Sequence, residues 1–243
     1  MDRIWLPYCG EAPLPAEWLA RWNLDLVVIA ALLACGVLAW RKAEKRTAIL
    51  WAFLVLALLF ISPICALSSA LFSVRVAHHI ALTAIAAPLL VFGLGERFRL
   101  PGPVSIWAAL HILSFWFWHA PDAYAFALSS DAGYWLMQAT LLASALGFWA
   151  ALRTSGAPTV IGLLLVMMVQ MGLLGALITF AGSPLYAPHW LTTQAWGLAP
   201  LEDQQLAGLI MWAPASLFYL AAALWTGWRL LGPNPPASQS AAT

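Results

Sequence analysis

Seven apolar stretches, at about residues 23–40, 48–67, 76–95, 103–119, 134–152, 159–181 and 204–228, take up most of this chain. Stretches of that length shelter their backbone amides and carbonyls from water. Those groups must then pair within the segment, and a helix is the structure that pairs them. The expected fold is all-α, a polytopic membrane protein with seven transmembrane helices. Composition agrees: 63% of residues are hydrophobic and 9% charged, too apolar for a surface turned to water. No soluble domain fits between neighbouring stretches. The chain divides into an outer segment over residues 1–22, the seven-helix domain over 23–231, and a Pro/Ser/Ala-rich tail over 232–243 that is expected to be disordered.

Basic residues set the orientation. One set of loops collects Arg41, Lys42, Lys45, Arg46, Arg97, Arg99, Arg153 and Arg229, whereas the alternate set has Arg3, Arg21 and Arg75. Cation-rich loops stay in the cytoplasm, so the amino terminus is expected outside and the carboxyl terminus inside. In the first stretch the charge of "RKAEKR" follows the apolar run, as in an anchor rather than a cleaved leader. Most of the tryptophans fall near the expected boundaries, where indole favours the headgroup zone. A net charge of +1 without a basic stripe gives no footprint for nucleic acid. Cys9, Cys35 and Cys65 are odd in number and far apart, and read as neither a disulfide framework nor a thiolate metal cluster.

The polar groups gather on one side. His78 and His79 open the third stretch, His119 closes the fourth, and His189 lies in the loop before the seventh; only His111 is deeper. Imidazole is a common ligand for copper, zinc and iron, and thioether sulfur suits cuprous ion. Neighbouring helical residues point about 100° apart, so one of His78 and His79 should face the bundle and the other a headgroup or adjacent helix. Arg75, one turn before His79, would repel a bound cation unless a carboxylate such as Asp203 or Asp131 offsets it. Spacing alone supports a metal site and a structural polar network about equally, and His111 suits an interhelical hydrogen bond. Met168 and Met171 read as apolar filler, and Met137 and Met211 as filler or as thioethers near the outer site. In "WGLAPLEDQQLAGLIMWAPASLFYL", Glu202 and Asp203 mark a helix start and Gln204 and Gln205 enter the bundle, where each needs partners. Gly208 and Pro214 permit close approach and a kink.

Four stretches carry a family resemblance: "HHIALTAIAAPLLVFG" (78–93), "WHAPDAY" (118–124), "MGLLGALITFAGSPLY" (171–186) and "PLEDQQLAGLIMWAP" (200–214). Together they resemble the CtaG family of cytochrome c oxidase assembly factors, named for the caa3-type oxidase, over roughly residues 70–228. The resemblance implies a multi-pass protein of the bacterial inner membrane that helps to build a haem–copper oxidase by supplying or inserting copper, with its site toward the periplasm. His79, His119 (beside Trp118 and Pro121), Asp203, Gln204, Gln205, Gly208, Met211 and Trp212 match family motif positions. Two positions depart from the pattern. Arg75 and Gln138 stand where many members carry histidines, so if those histidines bind metal this chain has either lost part of the set or uses His78 and His111 instead.

The expected role is non-enzymatic. Copper is the expected cargo, on His79 and His119 with His78 and Met211 in support. Arg75, His111, Gln138, Asp203, Gln204 and Gln205 form the expected polar network. The expected partners are oxidase subunits or a periplasmic copper chaperone, met within the lipid bilayer. A metal-free scaffold for those partners is the alternative, and a transporter is a third reading with no central acidic residue in any stretch to support it.

Overall fold

The computed structural model describes residue 5 and residues 7–232, and every regular element among them is helical. Arg3 and the tail beyond residue 232 lie outside the described residues. In chain order the helices are α1 (Leu26–Lys42), α2 (Arg46–Phe60), α3 (Ile64–Ala70), α4 (Phe72–Arg97), α5 (Val104–His119), α6 (Pro121–Ala127), α7 (Asp131–Arg153), α8 (Ala157–Thr179) and α9 (Pro200–Leu231). Four of them, α4, α7, α8 and α9, are long and apolar enough to cross a membrane. The pair α2 and α3, bent by 46°, makes a fifth. Helix α1 has 17 residues and α5 has 16, about 24–26 Å of rise against a hydrocarbon core of about 30 Å.

Proline shapes three of these helices. Pro63 has no N–H for the Leu59 carbonyl four residues back, and α2 stops at Phe60. Pro88 would clash with a carbonyl one turn earlier, and the turn before it, Ala81–Ala86, is widened to a π-helix. The opened backbone is not left bare: the Thr83 hydroxyl donates to the His79 carbonyl (2.8 Å), and Trp149 Nε1 donates to the Thr83 carbonyl (2.9 Å). Pro214 lies inside a second wide turn, Met211–Ala215, so α9 takes up its proline by widening.

Helix α4 is the hub of the bundle. It packs on α2, α3, α7 and α9, while α5 lies on α7, α8 lies on α9, and α1 rests mainly on α2. Helices α8 and α9 meet backbone to backbone. A Cβ at Gly208 would come within 2.2 Å of Thr179 Oγ1 and 2.6 Å of the Gly175 carbonyl, so glycine is what allows the contact.

The two ends of the bundle differ. At one, the Glu44 and Lys45 amides donate to the Gly93 carbonyl, and Arg153 donates to the Phe98 carbonyl at 2.9 Å. Arg41, Lys42, Arg46, Arg97 and Arg229 belong to this same end of the helices. At the other end the amino-terminal segment folds back over the α2–α3 corner. Asn23 Nδ2 donates to the Phe60 carbonyl (2.9 Å), Tyr8 donates to Asp25 (2.6 Å), and Tyr8 stacks on Tyr134 at 5.1 Å.

Here the cysteine expectation is corrected. Cys9 and Cys65 form a disulfide, with Cα atoms 5.3 Å apart across a sequence separation of 56, and Cys35 remains the free thiol. An odd count and wide spacing hid the pair, because the fold-back that joins them is tertiary.

Candidate functional site

The site grows from the first turns of α4. That helix begins beneath the start of α9, and the Asp203 carboxylate reaches across to accept from the Phe72 amide (2.6 Å), the Ser73 amide (3.2 Å) and the Ser73 hydroxyl. A helix start leaves amides without partners and carries partial positive charge, so a buried carboxylate there is doubly favoured. Asp203 therefore caps a helix other than its own. Gln204 does the matching task at the end of α8. Its Nε2 donates to the Ile178 carbonyl (3.2 Å), and its Oε1 accepts from the Leu185 amide (2.7 Å). Gln205 is half-buried.

One turn along α4, Arg75 is fully buried, with its guanidinium over the Tyr134 ring at 5.2 Å. All three of its side-chain nitrogens lack a hydrogen-bond partner among the described residues. The expected offset by Asp203 or Asp131 does not occur. Asp203 is committed to the α4 amides, Asp131 is exposed at the start of α7, and the only ion pair among the described residues is Arg99–Glu96. Arg75 is not a loop cation either: it belongs to the bundle interior. Its neighbours are Tyr124, Tyr134 and His189, which sequence reasoning did not gather into a site. The Tyr124 hydroxyl and His189 Nε2 lie 2.7 Å apart, and His189 is pushed down to about 3 by burial first and by the Arg75 charge second. "WHAPDAY" contained Tyr124, but nothing in its spacing linked it to a loop 65 residues away.

The two adjacent histidines then diverge. His78 turns to α2, where Nε2 donates to the Leu59 carbonyl at 3.2 Å. That is the carbonyl Pro63 leaves without a donor, so His78 fills a gap made by the helix break. His79 turns into the bundle. Its Nε2 faces Gln138 Nε2 at 3.4 Å, and its ring meets the His119 ring at right angles with centroids 5.3 Å apart.

His119 is held firmly. Ala120, which precedes Pro121, is extended and ends α5 there. The Tyr186 hydroxyl donates to the His119 carbonyl (2.8 Å), and His119 Nδ1 donates to the Phe115 carbonyl (2.7 Å). His119 Nε2 and His79 Nδ1 are buried without partners. Met211 is buried at the start of the wide turn of α9, a turn that packs on the first part of α4. His111 stands apart, about 12 Å down α5 by helical rise. Its ring lies between Ser144 Oγ (3.2 Å) and the Tyr219 hydroxyl (3.5 Å).

The structure thus brings together His79, His119 and Gln138, with His78 and Arg75 alongside. No group of three or more His, Cys, Asp or Glu side chains suited to a metal ion occurs among the described residues. What the cluster offers is two imidazoles with free nitrogens, no carboxylate, and a guanidinium nearby.

A family model described as cytochrome c oxidase caa3 assembly factor (Caa3_CtaG) matches residues 100–232, more than half of the chain. The chain belongs to this family. The match covers the CtaG-family helices α5 to α9, and with them His111, His119, Gln138, Asp203, Gln204, Gln205 and Met211. Arg75, His78 and His79 lie before it. No curated protein and no solved structure gives a significant match. Family membership makes cytochrome c oxidase assembly the role of the protein and the oxidase its target.

Proposed function

We propose that this assembly factor handles copper for the oxidase, at the periplasmic end of a seven-span bundle in the bacterial inner membrane. In this reading α1 and α5 complete the spans, the amino terminus is outside, and the basic end lies in the cytoplasm. The uneven distribution of basic residues supports that orientation. So does the Cys9–Cys65 disulfide, since such bonds persist in oxidising compartments.

The observation that carries the copper reading is the His79–His119 pair: two buried rings from different helices, 5.3 Å apart, each with a nitrogen lacking a partner. The cargo is cuprous ion, which accepts few, soft or imidazole ligands. Met211 would add sulfur from the facing turn of α9, and His78 would flank the pair. Arg75 disfavours a divalent ion and keeps the hold on a monovalent one modest, as suits a carrier that must let go. The role is non-catalytic.

The test is a His79→Ala/His119→Ala double variant, read by cuprous ion bound to the purified protein and by copper in the oxidase it helps to build. Loss of both measures supports the reading; a fully metallated oxidase made with the double variant sinks it. A metal-free scaffold remains the second reading. It draws on Asp203 and Gln204, whose side chains are occupied in joining helices. Under it the pure protein binds no copper, and the double variant still docks the oxidase.

A further inference from the structure

Helix α1 rests mainly on α2, and the two leave between them an open groove of about 360 Å³. Gly36 keeps it open beside Phe53, since a Cβ there would already touch the ring at 3.4 Å. The groove follows α1 from Leu32 to Arg41, about 14 Å of helical rise and close to half of a hydrocarbon core of about 30 Å. Its depth is that of one leaflet. The walls are apolar, with Leu33, Val37 and Leu50 exposed along them. The mouth is cationic. Arg41 lines it, and Arg46, from α2, lays its guanidinium over the Trp40 ring at the same end, 5.6 Å from the centroid. Lys42 and Lys45 are exposed in the same turn. No carboxylate answers these charges: Glu44 accepts from the Glu96 amide at 2.9 Å, and the only ion pair among the described residues is Arg99–Glu96. Lys45 and Arg46 also sit at the positive end of the α2 dipole, with no acid in its first turn. The mouth thus favours a negative charge, and the groove below it a chain of methylenes.

We propose that this groove binds an anionic phospholipid of the phosphatidylglycerol class, its phosphate between Arg41 and Arg46 and one acyl chain along α1. A zwitterionic headgroup would bring its own ammonium to a cationic mouth. An anionic one brings charge of the sign that the mouth lacks, as basic clusters beside membrane helices do elsewhere. The assignment needs a bilayer but not copper, and it stands or falls apart from the histidine pair.

The full-length protein in detergent is titrated with dioleoyl phosphatidylglycerol or dioleoyl phosphatidylcholine, and bound lipids are counted by native mass spectrometry. The first phosphatidylglycerol should bind about tenfold more tightly than the first phosphatidylcholine, because each basic residue near a membrane surface favours an anionic headgroup roughly fivefold. The double variant Arg41→Gln/Arg46→Gln should remove that preference. Arg229→Gln should keep it, since Arg229 belongs to the same end of the bundle but not to this groove. Val37→Phe fills the groove from an exposed position and leaves every cation in place. It should weaken the first phosphatidylglycerol by about tenfold, the worth of roughly two buried methylenes. Equal retention of the two lipids by the parent would mean annular lipid only and overturn the proposal. A preference that survives the arginine pair's replacement, or binding that survives Val37→Phe, would do the same by showing a diffuse field of charge rather than a site. Glycerol phosphate, the headgroup without chains, should not displace the lipid at equal concentration; displacement would assign the mouth to a free phosphate instead.

Discussion

Asp203 performs across a sequence separation of 130 residues the task that a serine or asparagine usually performs at the start of its own helix. Replacing it by Asn keeps the shape but removes the charge facing the α4 amides. Asp203→Asn should lower stability by about 1–3 kcal/mol, seen as a reduced thermal midpoint in detergent. The sequence showed an acid near a helix start; it did not show that the helix in question was another one. His189 makes a second prediction. It titrates at about 3 when folded, against about 6.5 when free, so the folded state binds fewer protons over that interval. Its contribution is complete above about pH 6.5 and is lost progressively as pH falls toward 3. Thermal unfolding between pH 7 and 5 should therefore decline less steeply in His189→Gln than in the parent. Aspartates, glutamines and histidines could be noticed in the chain as residues of interest, but their partners belong to distant segments. The polar partners were the part that spacing left hidden.

The helices were more legible than the contacts that join them. Each apolar stretch is helical in the structure, because a long run of large apolar residues has few other ways to pair its backbone. Their ends and interruptions depended on detail. Pro63 breaks one stretch into α2 and α3, and the carbonyl it strands becomes the seat of His78. Pro214, read as a kink, is accommodated by a wide turn. Gly208 was recognisable as a point of close approach, though its counterpart Gly175 was not. At that crossing Gly208→Ala should cost about 1–3 kcal/mol, because the new methyl meets backbone that cannot yield. Gly162→Ala on α8 is the control. A Cβ there meets nothing within 4 Å, so the change should be neutral or slightly stabilising. Equal losses at the two positions would show that the α8–α9 crossing is not what makes Gly208 special.

For the molecule as a whole, the disulfide ties the amino-terminal segment to the corner above α4. Cys9→Ser should destabilise the protein by about 2–4 kcal/mol and make its midpoint insensitive to reductant, whereas the parent should lose stability on reduction. A parent indifferent to reductant would remove the disulfide from this account. The Asp203 cap has a wider consequence, which concerns synthesis. A ribosome delivers residues 72–97 well before residue 203, so for that interval α4 is in place with its first amides unanswered. The hub of the bundle is completed by a carboxylate that arrives 131 residues after the amide it caps. A nascent product that stops short of α9 therefore carries a central helix whose first amides still lack their carboxylate.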